Sequence, residues 1–319
     1  MLADMRGQAM AEENFVAVWA DGGVGRIRLN RPQAINALNL DMIETLRRAL
    51  DDFADDPRVV RVLLDGAGER GLCSGADVRQ LRQIVLDGGD PGEFLAAEYT
   101  LDHHIATYPK PYAAMMDGIT MGGGLGVSAH GSERVVTPRS TLGMPETGIG
   151  LFPDVLMSRF LCRMPDEIGT HLALTGMSVG AADAVWLGLA DRCEGDPGPA
   201  VLPAQAEWIA ECYEGGDAVQ IVARLENHVN PQARETGALL RSRCPLSVAV
   251  TLAALRRAPG LSLDELVAQD LSVGTALAAG PDFAEGVRAQ LVDRDKNPHW
   301  SHARIEDVTA SEVAACFPA

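Results

Sequence analysis

Short apolar runs separated by polar and glycine-rich turns predict β-strands in the first half of the chain. The turn Asp21-Gly22-Gly23 between the first two runs indicates a hairpin. The next two runs are almost wholly apolar, which is typical of strands buried on both faces. The predicted strands are residues 15–20, 25–30, 59–64, 112–116, 134–137 and 141–144.

Apolar residues spaced three and four apart predict amphipathic helices between these strands. Leu40, Ile43, Leu46 and Leu50 form one such stripe, and Asn39 precedes it as a helix cap. Because strands alternate with helices, the pattern predicts an α/β fold. The helices predicted in this part are residues 40–53, 78–86, 93–107, 125–130, 156–163, 167–174 and 181–187.

Beyond about residue 216 the strand signals end and the periodicity becomes helical. Helices are predicted at 218–228, 232–241, 246–258 and 263–278, the last one running into an acidic turn at Gly280-Pro281-Asp282. We therefore expect three parts along the chain. These are a disordered segment over residues 1–14, an α/β core over 15–220 and a helical C-terminal region over 221–319.

Composition and charge narrow the range of partners. The net charge of −17 over 319 residues argues against nucleic acid, which needs clustered Lys and Arg, but permits a small anionic ligand held by a few arginines. No apolar run approaches the roughly 18 residues of a membrane span. The six cysteines show no pairing pattern, and the N-terminus carries no targeting signal. These features predict a cytoplasmic protein without membrane partners.

Two glycine loops are candidates for binding negative charge through the backbone. Gly122-Gly123-Gly124 would sit at the N-terminus of the helix predicted at 125–130, where free N–H groups favour an anion. Ser74-Gly75-Ala76-Asp77 joins a buried strand to a helix. If each loop supplied one N–H, the pair would form a two-donor oxyanion hole. Tight helix packing and a plain strand-to-helix connection explain the same glycines, and the residues alone leave both readings open.

Two carboxylates follow the glycine triplet in an unusually apolar loop. Glu146 and Asp154 each come after a proline, with Gly148 and Gly150 between them. Solvated surface acids are the simpler interpretation, but apolar neighbours favour burial. A buried carboxylate suits nucleophilic or acid–base chemistry. The apolar neighbours are Met144, Ile149, Leu151, Phe152 and Val155.

Other chemical signals in the chain are weaker. Ser128 and His130 lie two apart in a predicted helix and face different sides, which disfavours a serine hydrolase. The adjacent pair His103-His104 has no third ligand nearby, so no metal site is predicted. Three arginines near the glycine loops, Arg31, Arg70 and Arg79, are candidates for neutralising phosphates.

Taken together, these motifs resemble the enoyl-CoA hydratase/isomerase (crotonase) superfamily. The resemblance runs through Ile35-Asn-Ala-Leu38, Cys73-Ser-Gly-Ala-Asp77 and the sequences MGGGLGVSAHG and MPETGIGLFPD to the motif Asp293-Arg-Asp-Lys296. It implies a spiral of repeated ββα units with a helical C-terminal region. It also implies an acyl-CoA ligand, no cofactor or metal beyond CoA as part of the substrate, and a possible homo-oligomer.

Two positions resemble the thioester hydrolases of the superfamily more than its hydratases. Gly126 stands where hydratases carry a glutamate, and Asp154 stands where they usually carry glycine. The resemblance therefore implies hydrolysis of a short β-hydroxyacyl-CoA, with hydration or isomerisation of an enoyl-CoA as the alternative. It leaves open whether Glu146 attacks directly or activates water. Gln33 replaces a usual lysine, which affects one contact to a CoA phosphate, and residues 155–158 replace a glycine-rich segment, which affects the shape of the acyl pocket.

The resemblance also assigns roles residue by residue. Glu146 and Asp154 would be catalytic, and the backbone N–H groups of Ala76 and Gly123 would form the oxyanion hole. Glu98 would contact the substrate. The other residues predicted to bind the substrate or its CoA are Asn36, Ala37, Leu38, Arg70, Ser74, Asp77, Val78, Arg79 and Gly122.

Overall fold

The centre of the fold is built from short strands. Residues 15–318 are described by this computed structural model, and the disorder predicted for residues 1–14 lies outside them. Nine strands occur in that part of the chain. They are β1 (Val16–Asp21), β2 (Val24–Leu29), β3 (Arg61–Gly66), β4 (Tyr112–Met116), β5 (Ile119–Met121), β6 (Glu133–Val136), β7 (Thr141–Gly143), β8 (Ser178–Gly180) and β9 (Arg192–Cys193).

Helices follow the strands and then take over the chain. Within residues 15–318 there are fourteen α-helices, and the last six lie beyond residue 216. They are α1 (Leu40–Asp55), α2 (Val78–Leu86), α3 (Pro91–Ala106), α4 (Gly123–Ala129), α5 (Ser158–Leu161), α6 (Ile168–Thr175), α7 (Ala181–Trp186), α8 (Ala206–Tyr213), α9 (Ala218–Asn227), α10 (Pro231–Arg241), α11 (Pro245–Arg257), α12 (Leu263–Ala279), α13 (Pro281–Val287) and α14 (Ala310–Ala315).

The strands form two sheets, and the chain passes repeatedly from the larger sheet to the smaller one. The larger sheet has the order β1-β2-β3-β4-β6-β9; its first pair is the predicted antiparallel hairpin, and the rest are parallel. The smaller sheet has the order β5-β7-β8. Each of β4-β5-α4 and β6-β7-α5 adds one strand to each sheet before a helix. This is the predicted repeat of ββα units.

The sequence analysis did not predict several short elements. Strands β5, β8 and β9 have only two or three residues, too few to show a period. Helix α8 lies in a stretch for which no element was predicted. The acidic turn predicted at Gly280-Pro281-Asp282 is wrong, because Gly280 caps α13 and Pro281 is its first residue. Proline is well tolerated at that position, so a turn-like sequence can start a helix.

The helix predicted over 156–163 is shorter than expected, and the reason lies beside Asp154. Val155 and Leu156 have φ of 49° and 61°, so α5 cannot begin before Ser158. The Leu156 N–H donates to Asp270 Oδ2 at 2.8 Å, and His130 Nε2 lies 2.8 Å from the Val155 carbonyl. Such a left-handed conformation is costly for a β-branched residue and persists only when its surroundings hold it.

The C-terminal helices pack back onto the α/β part. Helix α12 lies along α3, and one apolar cluster extends from Val16 to Phe317. The proposed boundary near residue 220 stays a prediction. Within residues 15–318 no single helix is long and apolar enough to cross a membrane, although 231–241 and 245–260 reach that length together as a pair bent by 113°.

Asn36 fastens the loop that leads into α1. Its Nδ2 donates to the carbonyls of Ala67, Gly71 and Leu72, and its Oδ1 accepts from the Arg31 N–H at 2.8 Å. The side chain is fully buried, and the backbone φ is 54°. Asparagine tolerates this conformation better than most residues do. The side chain therefore holds three segments together.

We expect Asn36→Ala to lower the free energy of unfolding by about 3 kcal/mol, because buried carbonyls lose their donor. Asn39→Ala, which removes the α1 cap bond to Met42, is the matched control and should cost about 1 kcal/mol. Denaturant unfolding measures both variants. Equal losses would show that the Asn36 bonds do not hold the loop.

Candidate active site

One cavity of about 620 Å³ opens between the two glycine loops and the C-terminal region. This volume is typical of a small-molecule site. Gly75 and Ala76 line it from one loop, Gly122 and Gly123 from the other. Three buried carboxyl groups face the same space. They belong to Glu98, Glu146 and Asp154.

The two glycine loops touch each other at Gly75 and Gly123. A Cβ placed on Gly75 would lie 3.5 Å from the Gly123 nitrogen and 3.7 Å from the Gly122 Cα. A Cβ placed on Gly123 would lie 3.1 Å from the Ala76 nitrogen. Gly75 also has φ of +110°, which disfavours any side chain. The amides of Ala76 and Gly123 are thus brought to one place.

Both of these amides are free to bind a ligand. Around them the neighbouring groups are already bonded: Leu38 N donates to Gly75 O at 2.9 Å, and Gly122 N donates to Gly143 O at 3.1 Å. Gly123 is the first residue of α4, a position whose N–H has no partner within the helix. Across residues 15–318, neither the Ala76 nor the Gly123 N–H has a hydrogen-bond acceptor.

The two predicted catalytic carboxylates are buried against these loops. Glu146 opens a short 3₁₀ turn, Glu146–Gly148, and a Cβ on Gly122 would lie 2.7 Å from Glu146 Oε1. Asp154 Oδ2 accepts a hydrogen bond from the Tyr99 hydroxyl at 2.6 Å. The two residues are only 7% and 6% exposed, so the interpretation as solvated surface acids is wrong.

Burial raises the proton affinity of these two acids. It raises the pKa of Glu146 well above its ordinary value, and the charge of Asp154 adds to the effect. Burial also raises the pKa of Asp154 to about 6, although the hydrogen bond from Tyr99 opposes the rise. Near neutral pH the site can hold carboxylate and carboxylic acid side by side. Acid–base chemistry needs that combination.

The weaker candidates have structural roles. The Ser128 hydroxyl donates to the Gly124 carbonyl at 2.6 Å, and His130 holds the Val155 carbonyl, so the two side chains do not pair. His103 lies beside Asp264 at 2.8 Å, and His104 lies 3.7 Å from Asp51. Nowhere in residues 15–318 do three His, Cys, Asp or Glu side chains cluster so as to hold a metal ion.

Most residues predicted to bind the ligand line the cavity, but two do not. Asn36 and Leu38 are fully buried outside it, and Asn36 has the structural role described above. Their backbone N–H groups also donate within the chain, Asn36 to the Arg31 carbonyl and Leu38 to the Gly75 carbonyl, so a ligand contact by these two residues stays a prediction. The predicted ligand-binding residues that line the cavity are Ala37, Arg70, Ser74, Asp77, Val78, Arg79, Glu98 and Gly122.

The sequence analysis missed part of the cavity wall, because those residues lie far along the chain. Arg31 pairs with Asp77 at 2.7 Å, whereas five other cations on the cavity have no carboxylate partner anywhere in residues 15–318. Arg79 Nη2 donates to the Leu291 carbonyl at 2.5 Å and joins α2 to the C-terminal segment. The motif Asp293–Lys296 marked the resemblance but gave no hint of this placement. The five unpaired cations are Arg70, Arg79, Arg243, Arg294 and Lys296.

The fold and the cavity, which buries carboxyl groups beside the two glycine loops, are typical of an enzyme active site. The sequence profile of the enoyl-CoA hydratase/isomerase family matches residues 24–196 and 192–317. The chain belongs to this family. The predicted superfamily and the predicted fold, the ββα spiral with a helical C-terminal region, are both confirmed.

The names of curated relatives describe a more specific activity than the family description does. The chain is 34% identical to the mitochondrial 3-hydroxyisobutyryl-CoA hydrolase of Gallus gallus, over 95% of this chain and 88% of that protein. It is 31% identical to the enzyme of the same name from Homo sapiens, over 92% and 85%.

Solved structures carry different names. The chain is similar to a carnitinyl-CoA dehydratase from Mycobacterium thermoresistibile, with TM-score 0.91 and 40% identity over 96% of this chain and 97% of that one. It is also similar to an enoyl-CoA hydratase from Rhodobacter sphaeroides 2.4.1, with TM-score 0.89 and 34% identity over 95% and 97%.

The buried acids predict a pH-dependent stability. Because the folded-state pKa of Asp154 is raised, the native protein binds its proton more tightly than the unfolded chain does, and stability falls as pH rises from about 4 to 6. We expect Asp154→Asn to be more stable than wild type at pH 8 by up to about 3 kcal/mol, with the difference vanishing near pH 4. Asp21→Asn, in the exposed hairpin turn, is the control. If the difference in the free energy of unfolding between Asp154→Asn and wild type were the same at all pH values, the raised pKa of Asp154 would be contradicted.

Proposed function

We propose that the protein hydrolyses a short β-hydroxyacyl-CoA thioester, with 3-hydroxyisobutyryl-CoA giving 3-hydroxyisobutyrate and CoA as the first candidate. The observation that carries the proposal is that Asp154 and Glu146 line one cavity, beside two backbone amides that have no acceptor within residues 15–318. The names of the curated relatives support it.

In this proposal the thioester oxygen accepts hydrogen bonds from the Ala76 and Gly123 N–H groups. The oxygen becomes negative when the carbonyl is attacked, and donors already in place stabilise that charge. Removing one such donor typically costs about 3 kcal/mol of barrier, or about two decades of rate. The contact between the two glycine loops supports this part of the proposal, because it brings the two amides close to each other.

In the first of two routes, Glu146 is the nucleophile that attacks the thioester carbonyl. Its carboxylate adds to the carbonyl carbon, the C–S bond breaks, CoA leaves as the thiol after protonation, and water then cleaves the mixed anhydride. In the alternative route Glu146 takes a proton from water, and the hydroxide adds instead. Asp154 holds the substrate hydroxyl or the water and passes the proton. Both routes require Glu146 in its ionised form, so the rate should rise with pH through its raised pKa.

The unpaired cations support a polyanionic ligand such as CoA. Arg70, Arg79, Arg243, Arg294 and Lys296 border the cavity of a protein whose net charge is −17. Elsewhere in the described chain many arginines pair with carboxylates. Cations kept free of carboxylates in an acidic protein are suited to the phosphates of a ligand.

The cellular setting belongs to the same proposal. We place the reaction in valine breakdown and in the cytoplasm, where the six free cysteines would stay reduced. The curated relatives are named as mitochondrial proteins, which leaves the compartment to be tested by cell fractionation. A homo-oligomer stays a prediction.

Hydration of an enoyl-CoA is the second candidate, because the two structural relatives are named as a dehydratase and a hydratase. The environment of Gly126 argues against it. A Cβ on Gly126 would lie 2.7 and 2.9 Å from the Asp102 carboxyl oxygens and 2.9 Å from the Val155 Cβ. A second glutamate at this position would have no room.

A thiol-release assay over short acyl-CoAs, with crotonyl-CoA hydration measured in parallel, tests the proposal. Wild type should release thiol fastest from β-hydroxyacyl thioesters, and Glu146→Gln should lose at least about a thousandfold in kcat because the nucleophile or base is gone. Glu44→Gln, on the exposed side of α1, controls for an amide replacement. Fast hydration without thiol release, or full activity of Glu146→Gln, would refute it.

The proposed phosphate contacts have their own test. Arg294→Ala and Lys296→Ala should each raise KM about tenfold while leaving kcat nearly unchanged, because they lose binding that is equal in ground and transition state. The effect should shrink at high salt, where charge is screened. Arg47→Ala, paired with Asp51 on exposed α1, is the control. Unchanged KM in both cavity variants would rule out the phosphate contacts.

A further inference from the structure

Glu98 occupies a position that its role as a substrate contact does not explain. It lies on α3 and is 1% exposed, and its Oε1 has no hydrogen-bond partner within residues 15–318. A Cβ placed on Gly123 would collide with this oxygen, and the same Cβ position lies 3.1 Å from the Ala76 nitrogen. The Glu98 carboxyl therefore packs against Gly123, on the side of this residue that also faces the Ala76 amide.

The groups that interact electrostatically with this carboxyl are acidic or neutral. Tyr99 and Asp102 come from α3 itself, and Asp154 and Glu146 come from the loop after β7. The Cys73 thiol, next to the first glycine loop, is a further neutral neighbour. No ion pair in the described chain involves Glu98. Burial and the charge of Asp154 raise its pKa well above the ordinary value.

We propose that Glu98 works as a neutral carboxylic acid and donates a hydrogen bond to the thioester carbonyl oxygen, as a third oxyanion donor beside Ala76 and Gly123. This inference rests on the proposed function, which supplies the thioester. It assigns Glu98 a catalytic role, because its carboxyl touches the reacting oxygen.

The charge balance of the cavity supports the neutral form. Catalysis requires Glu146 as a carboxylate, and Asp154, with a pKa of about 6, is ionised at neutral pH. A third negative charge on Glu98 would stand beside the oxygen that becomes negative during attack. With its proton, Glu98 instead offers an O–H donor in an apolar setting, where such donors are most effective. The proton stays on Glu98 throughout, so no transfer step is added.

The test is the pH dependence of kcat in two variants of Glu98. In wild type the rate should fall at alkaline pH, as Glu98 loses its proton and its donor. In Glu98→Gln the amide donates at every pH, so this alkaline fall should disappear while kcat near neutral pH stays within about tenfold of wild type. Glu98→Ala removes the donor and should lose about a hundredfold. Thermal melting confirms that each variant folds.

Asp102→Asn is the matched control. Asp102 lies one helical turn after Glu98, is fully buried, and has two oxygens without a partner among the described residues, yet it does not line the cavity. This variant should keep an alkaline fall in kcat, with its midpoint displaced only by the lost interaction between Asp102 and Glu98. If Glu98→Gln is as inactive as Glu98→Ala, or if its alkaline fall matches that of wild type, the proposal is wrong.

An infrared measurement separates this inference from the proposed function. Without substrate at neutral pH, the carbonyl stretch of a protonated carboxyl should be present in wild type and reduced in Glu98→Gln. If no thioester is hydrolysed, the proposed function fails whatever the band shows. If thioester is hydrolysed and no band is assigned to Glu98, only the neutral donor is overturned.

Discussion

The whole site depends on the contact between two glycine-containing stretches of backbone. A Cβ on Gly123 would lie 3.1 Å from the Ala76 nitrogen, and Gly75 has a φ of +110° that favours glycine. The N–H groups of Ala76 and Gly123 come together because of this contact, and glycine supplies it at a cost in conformational freedom. The sheets on either side hold the loops in place, since β3 leads into the first loop and β5 into the second.

A second constraint follows from the first. Around the amides the fold buries Glu98, Asp102, Glu146, Asp154 and Asp270, and none of them forms an ion pair within residues 15–318. Buried carboxyl groups without a cation hold their protons more tightly, so the folded chain keeps protons near the loop that carries Glu146 and Asp154. The left-handed backbone at Val155 and Leu156 belongs to this arrangement, because the Asp270 carboxylate fixes the Leu156 N–H. The site therefore keeps buried acids and a left-handed backbone, both of which lower the local stability of the fold.

Much of this could be predicted from the sequence, where the signal was local. The hairpin, the cap at Asn39, the limits of α2 and the loss of strands after residue 216 follow from periodicity and turn residues. The two glycine loops were candidates for one oxyanion hole because each precedes a helix. Their contact depends on sheet order, which joins residues about 50 apart, and no local pattern reports it. The resemblance to a known family supplied that link.

Other features could not be predicted for physical reasons. Arg243, Arg294 and Lys296 reach the cavity only because the C-terminal helices fold back over α2 and α3. Asn36 was expected at the ligand, yet its four hydrogen bonds tie loops together. β5, β8 and β9 have two or three residues each and were found only through their partner strands, whereas β7, of similar length, was predicted.

The central claim is that the amides of Ala76 and Gly123 polarise one carbonyl oxygen. The most direct measurement is the infrared frequency of a ¹³C-labelled thioester carbonyl bound to Glu146→Gln, compared with the same thioester in water. The account predicts a clear shift to lower frequency that Gly123→Ala abolishes, because the added Cβ meets Glu98 and the Ala76 amide. A bound carbonyl with the frequency found in water would contradict it.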